Sequence, residues 1–147
     1  MPGVGIGIII FNEDGKVLLI KRNDDANLAD SDMRLEGTWT LPAGKVMLGE
    51  TIFEAAKRKA LSEVNLKIDD LSIVSIADDI NEHAHFVTFG VFAEKCSGIV
   101  DLGTTQEHID YKYYGLDELP ENLCEPSKKI LRNYLNKEMY IEGEKYE

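Results

Sequence analysis

The segment that decides the fold runs from residue 42 to residue 50 and reads Pro42-Ala43-Gly44-Lys45-Val46-Met47-Leu48-Gly49-Glu50. It leads directly into residues 51–64, where Thr51 and Glu54 have the spacing of a capping box, which satisfies the first free amides of a helix. Asn65 follows the helical stretch and tolerates the left-handed backbone that ends a helix. The segment therefore predicts a glycine-bearing loop that enters a capped helix.

The residues before this segment predict strands. Residues 4–11 alternate glycine with β-branched residues and predict a buried strand. The turn at residues 12–15 predicts a hairpin that joins this strand to residues 16–21. Residues 22–37 are polar and predict a long exposed loop, and residues 38–41 predict a short strand.

The residues after the helix predict three strands and a second helix. The strands fall at about residues 71–77, 84–94 and 110–114, and the helix begins at Pro126. We expect residues 138–147 to form a flexible tail. This order of elements predicts a single mixed α/β domain over residues 1–147.

Composition and charge exclude several classes of protein. The 147 residues include 44% hydrophobic and 29% charged residues, as in globular domains. The longest apolar stretch is too short to cross a bilayer, so we expect no membrane contact, and without a recognisable secretory signal we expect a cytoplasmic protein. The formal net charge of -11 disfavours DNA or RNA polymers as partners. An acidic protein that binds a small phosphorylated ligand would recruit cations, which indicates a metal cofactor.

The residues from Gly44 onward resemble the Nudix box, Gly-x5-Glu-x7-Arg-Glu-U-x-Glu-Glu-x-Gly-U, in which U is aliphatic. The positions that match at the correct spacing are Gly44, Glu50, Arg58, Glu63 and Leu66. The resemblance to the Nudix hydrolase family, in its MutT-like form, implies an α/β/α sandwich with a mixed central β-sheet. It also implies a pyrophosphohydrolase that cleaves a nucleoside diphosphate linked to another moiety, such as a nucleoside triphosphate or a nucleotide sugar. Homodimers are common among proteins that look like this one.

The box departs from the family pattern on the helix face that binds metal. Residues 59, 62 and 63 have i, i+3, i+4 spacing and share one helix face. Three carboxylates there would hold Mg²⁺ or Mn²⁺ beside a diphosphate. This chain has Lys59, Ser62 and Glu63 instead. One metal remains feasible, because Mg²⁺ often uses one or two protein carboxylates together with water and substrate phosphates.

The resemblance implies a set of site residues. The metal ligands are expected to be Glu63, Glu107 and the backbone carbonyl of Ala43, and the water-activating base Glu107 or His108, a loop residue with a pKa near neutrality. Arg58 belongs to the catalytic group as the residue that orients carboxylates. The substrate phosphates are assigned to Lys59, Arg22 and Lys45, and the supporting positions are Gly44 and Glu50.

Two alternatives stay open. The reduced box and the segment from Glu107 to Tyr113 also resemble GDP-mannose mannosyl hydrolases, a branch of the family that attacks the sugar carbon with a loop histidine as base. The loss of carboxylates at positions 59 and 62 also suits a catalytically impaired domain that binds a nucleotide without metal.

Overall fold

The computed structural model describes residues 1–143, which form strands and helices in mixed order. The strands are β1 (Gly3–Ile9), β2 (Val17–Arg22), β3 (Trp39–Thr40), β4 (Ala43–Lys45), β5 (Lys67–Ile80), β6 (His85–Ser97) and β7 (His108–Tyr114). The helices are α1 (Ala26–Ala29), α2 (Ile52–Val64) and α3 (Glu125–Asn136). The three later strands and the final helix fall where the sequence predicts them, although β5 and β6 are longer.

The strands form two sheets. The larger sheet has the order β4-β1-β6-β5, in which β1 runs parallel to β6 and antiparallel to β4. The smaller sheet has the order β3-β2-β7 and is antiparallel throughout. The expected mixed α/β architecture with a mixed sheet is therefore confirmed, and the second sheet is an additional finding.

Helices α2 and α3 cover opposite faces of the larger sheet. Side chains along β1 alternate between the two faces, so neighbouring residues of β1 contact different helices. Ile6 and Ile8 pack in one core cluster with the small residues of α2. Ile9 packs in a second cluster with Ile130 and Leu131 of α3. The two clusters place β1 at the centre of the core.

The ends of α2 follow the local sequence. The Thr51 hydroxyl accepts a hydrogen bond from the Glu54 amide at 3.1 Å, and the Glu54 carboxylate accepts one from the Thr51 amide at 2.9 Å. This confirms the predicted capping box. Asn65 adopts the left-handed conformation with a φ of 61° and ends the helix as expected.

The predicted hairpin between residues 4–11 and 16–21 is wrong in its pairing. The turn at residues 12–15 forms, but β1 and β2 belong to different sheets and are joined at their ends through a bridge between Phe11 and Val17. Each strand pairs instead with strands that are distant in sequence, β1 with β6 and β2 with β7. Long-range pairing therefore overrides the local turn signal.

The predicted exposed loop at residues 22–37 is also partly wrong. It contains the short helix α1, whose Ala29 is fully buried, and Met33, which is 7% exposed. These two buried apolar side chains hold the segment against the rest of the molecule. The loop consequently lies against the molecule and contributes a wall to the pocket described below.

The first part of the predicted flexible tail contacts β5. The Ile76 amide donates to the Met139 carbonyl at 2.8 Å, and Ile76 forms a parallel bridge with Tyr140. The segment around residues 139–140 is therefore docked, contrary to the prediction for that part. Residues 144–147 lie outside the described residues.

No helix among residues 1–143 is long and apolar enough to cross a membrane.

Candidate functional site

A pocket of about 350 Å³ runs between the loop after β2, the strands β1 and β4, and both long helices. Its lining includes Lys59 and Glu63 of α2 and Ser127 and Ile130 near the start of α3. Four basic residues also face this space, namely Arg22, Lys45, Arg58 and Lys59. The same lining carries four carboxylates, those of Asp30, Asp32, Glu63 and Glu107, so the pocket presents both signs of charge, which suits a polyanionic ligand bound together with a cation.

Glu63 is the most deeply placed of the predicted ligands, with 8% of its surface exposed. Its Oε1 accepts a hydrogen bond from the Ala43 amide at 3.0 Å, and its Oε2 lies 3.4 Å from the Lys59 Nζ. Burial raises the pKa of Glu63, against the opposing effects of Lys59, the Ala43 amide and Arg22. The contact that Ala43 makes with Glu63 therefore comes from its N–H rather than from the carbonyl named as a ligand.

His108 is the first residue of β7 and is only 4% exposed, so it is not the polar loop residue expected from sequence. A register shift between Lys21 and Arg22 pairs Arg22 with His108 and leaves Ile109 as an extra residue. A bulge of this kind reverses the face to which the next side chain points. His108 therefore turns inward, whereas Asp110 on the regular part of β7 is exposed.

The environment of His108 also overturns the expectation of a pKa near neutrality. Burial, with smaller contributions from Arg22 and Lys59, lowers the pKa of His108 to about 3. Its Nε2 is buried without a hydrogen-bond partner among the described residues and lies 3.9 Å from Glu63 Oε2. A neutral imidazole with a free ring nitrogen is a metal ligand more readily than a proton carrier at neutral pH.

Glu107 completes a group of three possible ligands. One donor atom from each of Glu63, Glu107 and His108 lies within 4.8 Å of the other two. The Asn23 amide donates to the Glu107 carbonyl at 2.8 Å, which fixes this part of the chain beside the loop after β2. Two carboxylates and an imidazole form a donor set that fits one divalent cation.

Lys59 lies along Gly44. A Cβ atom at Gly44 would fall 2.3 Å from the Lys59 Cε and 2.8 Å from its Cγ, so only glycine leaves room for this path. The side chain of Lys59 is 21% exposed, and its ammonium is directed to Glu63. Gly44, assigned to the supporting positions, thus shapes the site by admitting the lysine stem.

Arg58 supports the loop between β4 and α2. Its Nε and Nη2 donate to the Glu50 carboxylate at 2.7 and 2.9 Å, and Nη2 also donates to the Lys45 carbonyl at 2.9 Å. Hydrogen bonds from Arg58 and from the Met47 amide lower the pKa of Glu50 to about 2. Arg58 and Glu50 therefore make the contacts expected of residues that hold the loop in place.

The other two basic residues assigned to phosphate binding already have protein contacts. Lys45 forms an ion pair with Asp32 in the loop after β2. Arg22 donates from Nη1 to the Ala29 carbonyl at 3.4 Å, and its Nε is buried without a hydrogen-bond partner among residues 1–143. Both residues line the pocket, so a ligand can reach them there.

Residue 62 does not share the site with residues 59 and 63. Ser62 is exposed, and its hydroxyl donates back to the Lys59 carbonyl at 3.4 Å. Of the three positions with i, i+3, i+4 spacing, residues 59 and 63 therefore line the pocket and residue 62 does not. His83 and His85 are exposed and do not themselves line the pocket, although His85 directly precedes Phe86, which does.

The polar wall that the start of α3 contributes to the pocket was not predicted from the sequence. Ser127 accepts a hydrogen bond from the Leu41 amide at 2.9 Å and lies 3.2 Å from the Thr40 hydroxyl. The Cys124 thiol donates to the Ser127 hydroxyl at 3.2 Å. A serine in the first turn of a helix was the available signal, but this position alone does not indicate a pocket.

Comparison with known proteins places this geometry in a family. The family model described as the NUDIX domain matches residues 1–134. The ADP-ribose pyrophosphatase of Methanocaldococcus jannaschii is 28% identical over 91% of this chain and 73% of its own length. The NAD-capped RNA hydrolase NudC of Photorhabdus laumondii is 33% identical over 79% of this chain but only 43% of its own length.

A solved structure shows the same fold. The MutT NUDIX hydrolase from Burkholderia pseudomallei superposes with a TM-score of 0.78 at 27% identity, over 90% of this chain and 98% of that one. The likeness therefore extends over both sheets and both long helices rather than over the box alone. With the family model matched over residues 1–134, the chain belongs to the Nudix family of hydrolases.

Proposed function

We propose that this protein hydrolyses a nucleoside diphosphate linked to another moiety, with one divalent cation, Mg²⁺ or Mn²⁺, held by Glu63, Glu107 and His108. The observation that carries the proposal is the meeting of Glu63 and Glu107 with the four basic residues in one pocket of about 350 Å³, with His108 Nε2 3.9 Å from Glu63 Oε2. Two relatives, one named as an ADP-ribose pyrophosphatase and one as an NAD-capped RNA hydrolase, support this choice of substrate. In both ADP-ribose and the NAD cap, a diphosphate links a nucleoside to a second group.

The basic residues would bind the diphosphate. Arg22 and Lys59 lie next to the donor group, and Lys45 lies at the rim beside Asp32. Lysine meets phosphate oxygens as a flexible point charge, whereas arginine offers a planar set of donors. Arg58 would act indirectly, because its hydrogen bonds to Glu50 and to the Lys45 carbonyl hold the loop that carries Lys45.

A divalent cation, when bound, supplies charge neutralisation at the phosphates and acidifies water. Glu107 is half-buried among the donor atoms; one of its carboxylate oxygens would bind the cation, and we assign the other to accept a proton from the attacking water. His108 is neutral in this setting and would serve as a ligand rather than as the base. The polar wall of Thr40 and Ser127 would receive the group on the far side of the diphosphate.

The first experiment is a screen of the full chain against nucleoside triphosphates, ADP-ribose, dinucleotides and nucleotide sugars, with Mg²⁺, with Mn²⁺ and with chelator. Glu63→Gln keeps the shape and the acceptor for the Ala43 amide but removes the charge. Glu121→Gln, at an exposed position, is the matched control. We expect metal-dependent turnover that is lost in Glu63→Gln and retained in Glu121→Gln.

The products separate two reactions. Attack at phosphorus breaks the diphosphate and yields a nucleoside monophosphate or pyrophosphate, whereas attack at the sugar carbon yields an intact nucleoside diphosphate and free sugar. Hydrolysis in ¹⁸O-labelled water records the same distinction in the product that carries the label. We expect the label on phosphate.

A metal-free nucleotide-binding domain is the second candidate, favoured by the ion pair between Lys59 and Glu63. It predicts that a nucleotide binds equally well with Mg²⁺ and with chelator and that no compound on the panel is hydrolysed. That pair of results would overturn the hydrolase proposal.

A further inference from the structure

The path of the Lys59 side chain is set by its surroundings. The stem lies against Gly44, at a distance that no side chain on residue 44 would permit. The ammonium reaches Glu63 Oε2 at 3.4 Å, and 21% of the lysine side chain is exposed against 8% for the glutamate. The two residues are one turn apart on α2, so the contact needs no change in the helix.

The same carboxylate oxygen faces the possible metal ligands. Glu63 Oε2 lies 3.9 Å from His108 Nε2, and one donor atom from each of Glu63, Glu107 and His108 lies within 4.8 Å of the other two. The Lys59 ammonium and a divalent cation bound by these residues would therefore use one carboxylate. Like charges repel strongly in a partly buried site, where water screens them poorly.

We propose that Lys59 is a built-in cation that competes with the divalent metal for Glu63 and so weakens metal binding to the free protein. This inference rests on the metal site proposed above. A phosphate ligand that draws the ammonium from Glu63 would relieve the competition, because the long stem allows Nζ to move. Lys59 would thus favour metal binding together with substrate over metal binding alone.

Mn²⁺ alone is the probe that tests this inference. Free Mn²⁺ is measured by electron paramagnetic resonance during titration of the full chain, at one neutral pH and one ionic strength. Lys59→Met removes the charge and retains a long unbranched side chain, and Lys59→Gln is a second neutral variant. The matched control is Lys57→Met, because Lys57 lies on the same helix and pairs with Asp69 at 3.8 Å, away from the pocket.

We expect Lys59→Met and Lys59→Gln to bind Mn²⁺ about tenfold or more tightly than the unmodified protein, since each removes a unit charge beside the metal. Lys57→Met loses the same charge farther away and should change the affinity less than about twofold, because solvent screens it. Adding Glu63→Gln to Lys59→Met should abolish the gain.

The outcomes distinguish this inference from the proposed function. If Glu63→Gln weakens Mn²⁺ binding but neither Lys59 variant tightens it, the competition is overturned and the metal site stands. If Mn²⁺ binding is insensitive to Glu63→Gln in every background, both the metal site and the competition are overturned.

Discussion

The ammonium of Lys59 lies 3.4 Å from the Glu63 carboxylate, one turn apart on the same helix face. The family pattern has glutamate at both positions. This chain has lysine at position 59, so an ion pair stands where the pattern has two like charges. Of the three positions 59, 62 and 63, only Glu63 carries a carboxylate in this chain. The other two members of the proposed donor group, Glu107 and His108, come from the segment that begins β7.

The contact between Gly44 and Lys59 makes a prediction about stability. Gly44→Ala should destabilise the protein by about 1–3 kcal/mol, because the new methyl group overlaps the lysine stem. In a Lys59→Ala background the same change should be neutral or stabilising by up to about 1 kcal/mol, since the space is then open. A double-mutant cycle by urea unfolding measures the difference. An equal cost of Gly44→Ala in both backgrounds would show that the two side chains do not compete for space.

Arg58→Lys should affect function more than stability. Arg58 is 39% exposed, so the loss of its ion pair with Glu50 should cost less than about 1 kcal/mol of unfolding free energy. Lysine cannot reproduce the set of donors that reaches both Glu50 and the Lys45 carbonyl, so the loop should lose its position. We expect KM to rise more than kcat falls. Arg132→Lys, at an exposed site on α3, is the control, and an unchanged KM in Arg58→Lys would contradict the positioning role.

The Glu50 carboxylate predicts a pH dependence of stability. Its pKa falls from 4.5 to about 2 in the folded protein, chiefly through the hydrogen bond from Arg58. A lowered pKa means that the stabilisation is present above pH 4.5 and is lost as the pH falls toward 2. Glu50→Gln should therefore flatten the acid limb of the unfolding free energy, and Glu121→Gln should not. Identical proton uptake on unfolding in Glu50→Gln and the unmodified protein would contradict the assignment.

Asn65 ends α2 in a left-handed conformation and donates from Nδ2 to the Ile99 carbonyl at 3.2 Å. Asn65→Ala should cost about 1–2 kcal/mol, because alanine adopts this conformation poorly and cannot make the bond. Asn65→Gly removes the bond but relieves the backbone, so its cost should be smaller. Thermal or urea unfolding measures the stability of the unmodified protein and of the two variants and so ranks the three. An Asn65→Ala variant as stable as Asn65→Gly would show that backbone conformation does not control this position.

Features that depend on neighbouring residues were predictable from the sequence. The capping box of Thr51 and Glu54 and the stop at Asn65 need only local backbone geometry, and both are confirmed. The box spacing also identified Glu63, Arg58 and Gly44 before any contact was known. By contrast, the predicted hairpin between residues 4–11 and 16–21 is wrong, because β1 and β2 pair with strands that lie far along the chain.

The details of the site depend on contacts that a linear pattern does not contain. His108 faces inward because of one extra residue, Ile109, between paired positions, and a shift of one residue leaves no mark in composition. The position of Lys59 on α2 was evident, but the packing of its stem on Gly44 was not. The short strand β4, which has only three residues, was missed because its pairing with β1 defines it.

The most direct test of the account is a crystal structure of the protein with Mn²⁺ and a non-hydrolysable nucleoside diphosphate analogue, with an anomalous difference map at the manganese edge. We predict a single manganese peak coordinated by Glu63, Glu107 and His108, with the Lys59 ammonium on a phosphate oxygen instead of on Glu63. A bound analogue with no manganese at these residues, and with Lys59 still paired to Glu63, would contradict it.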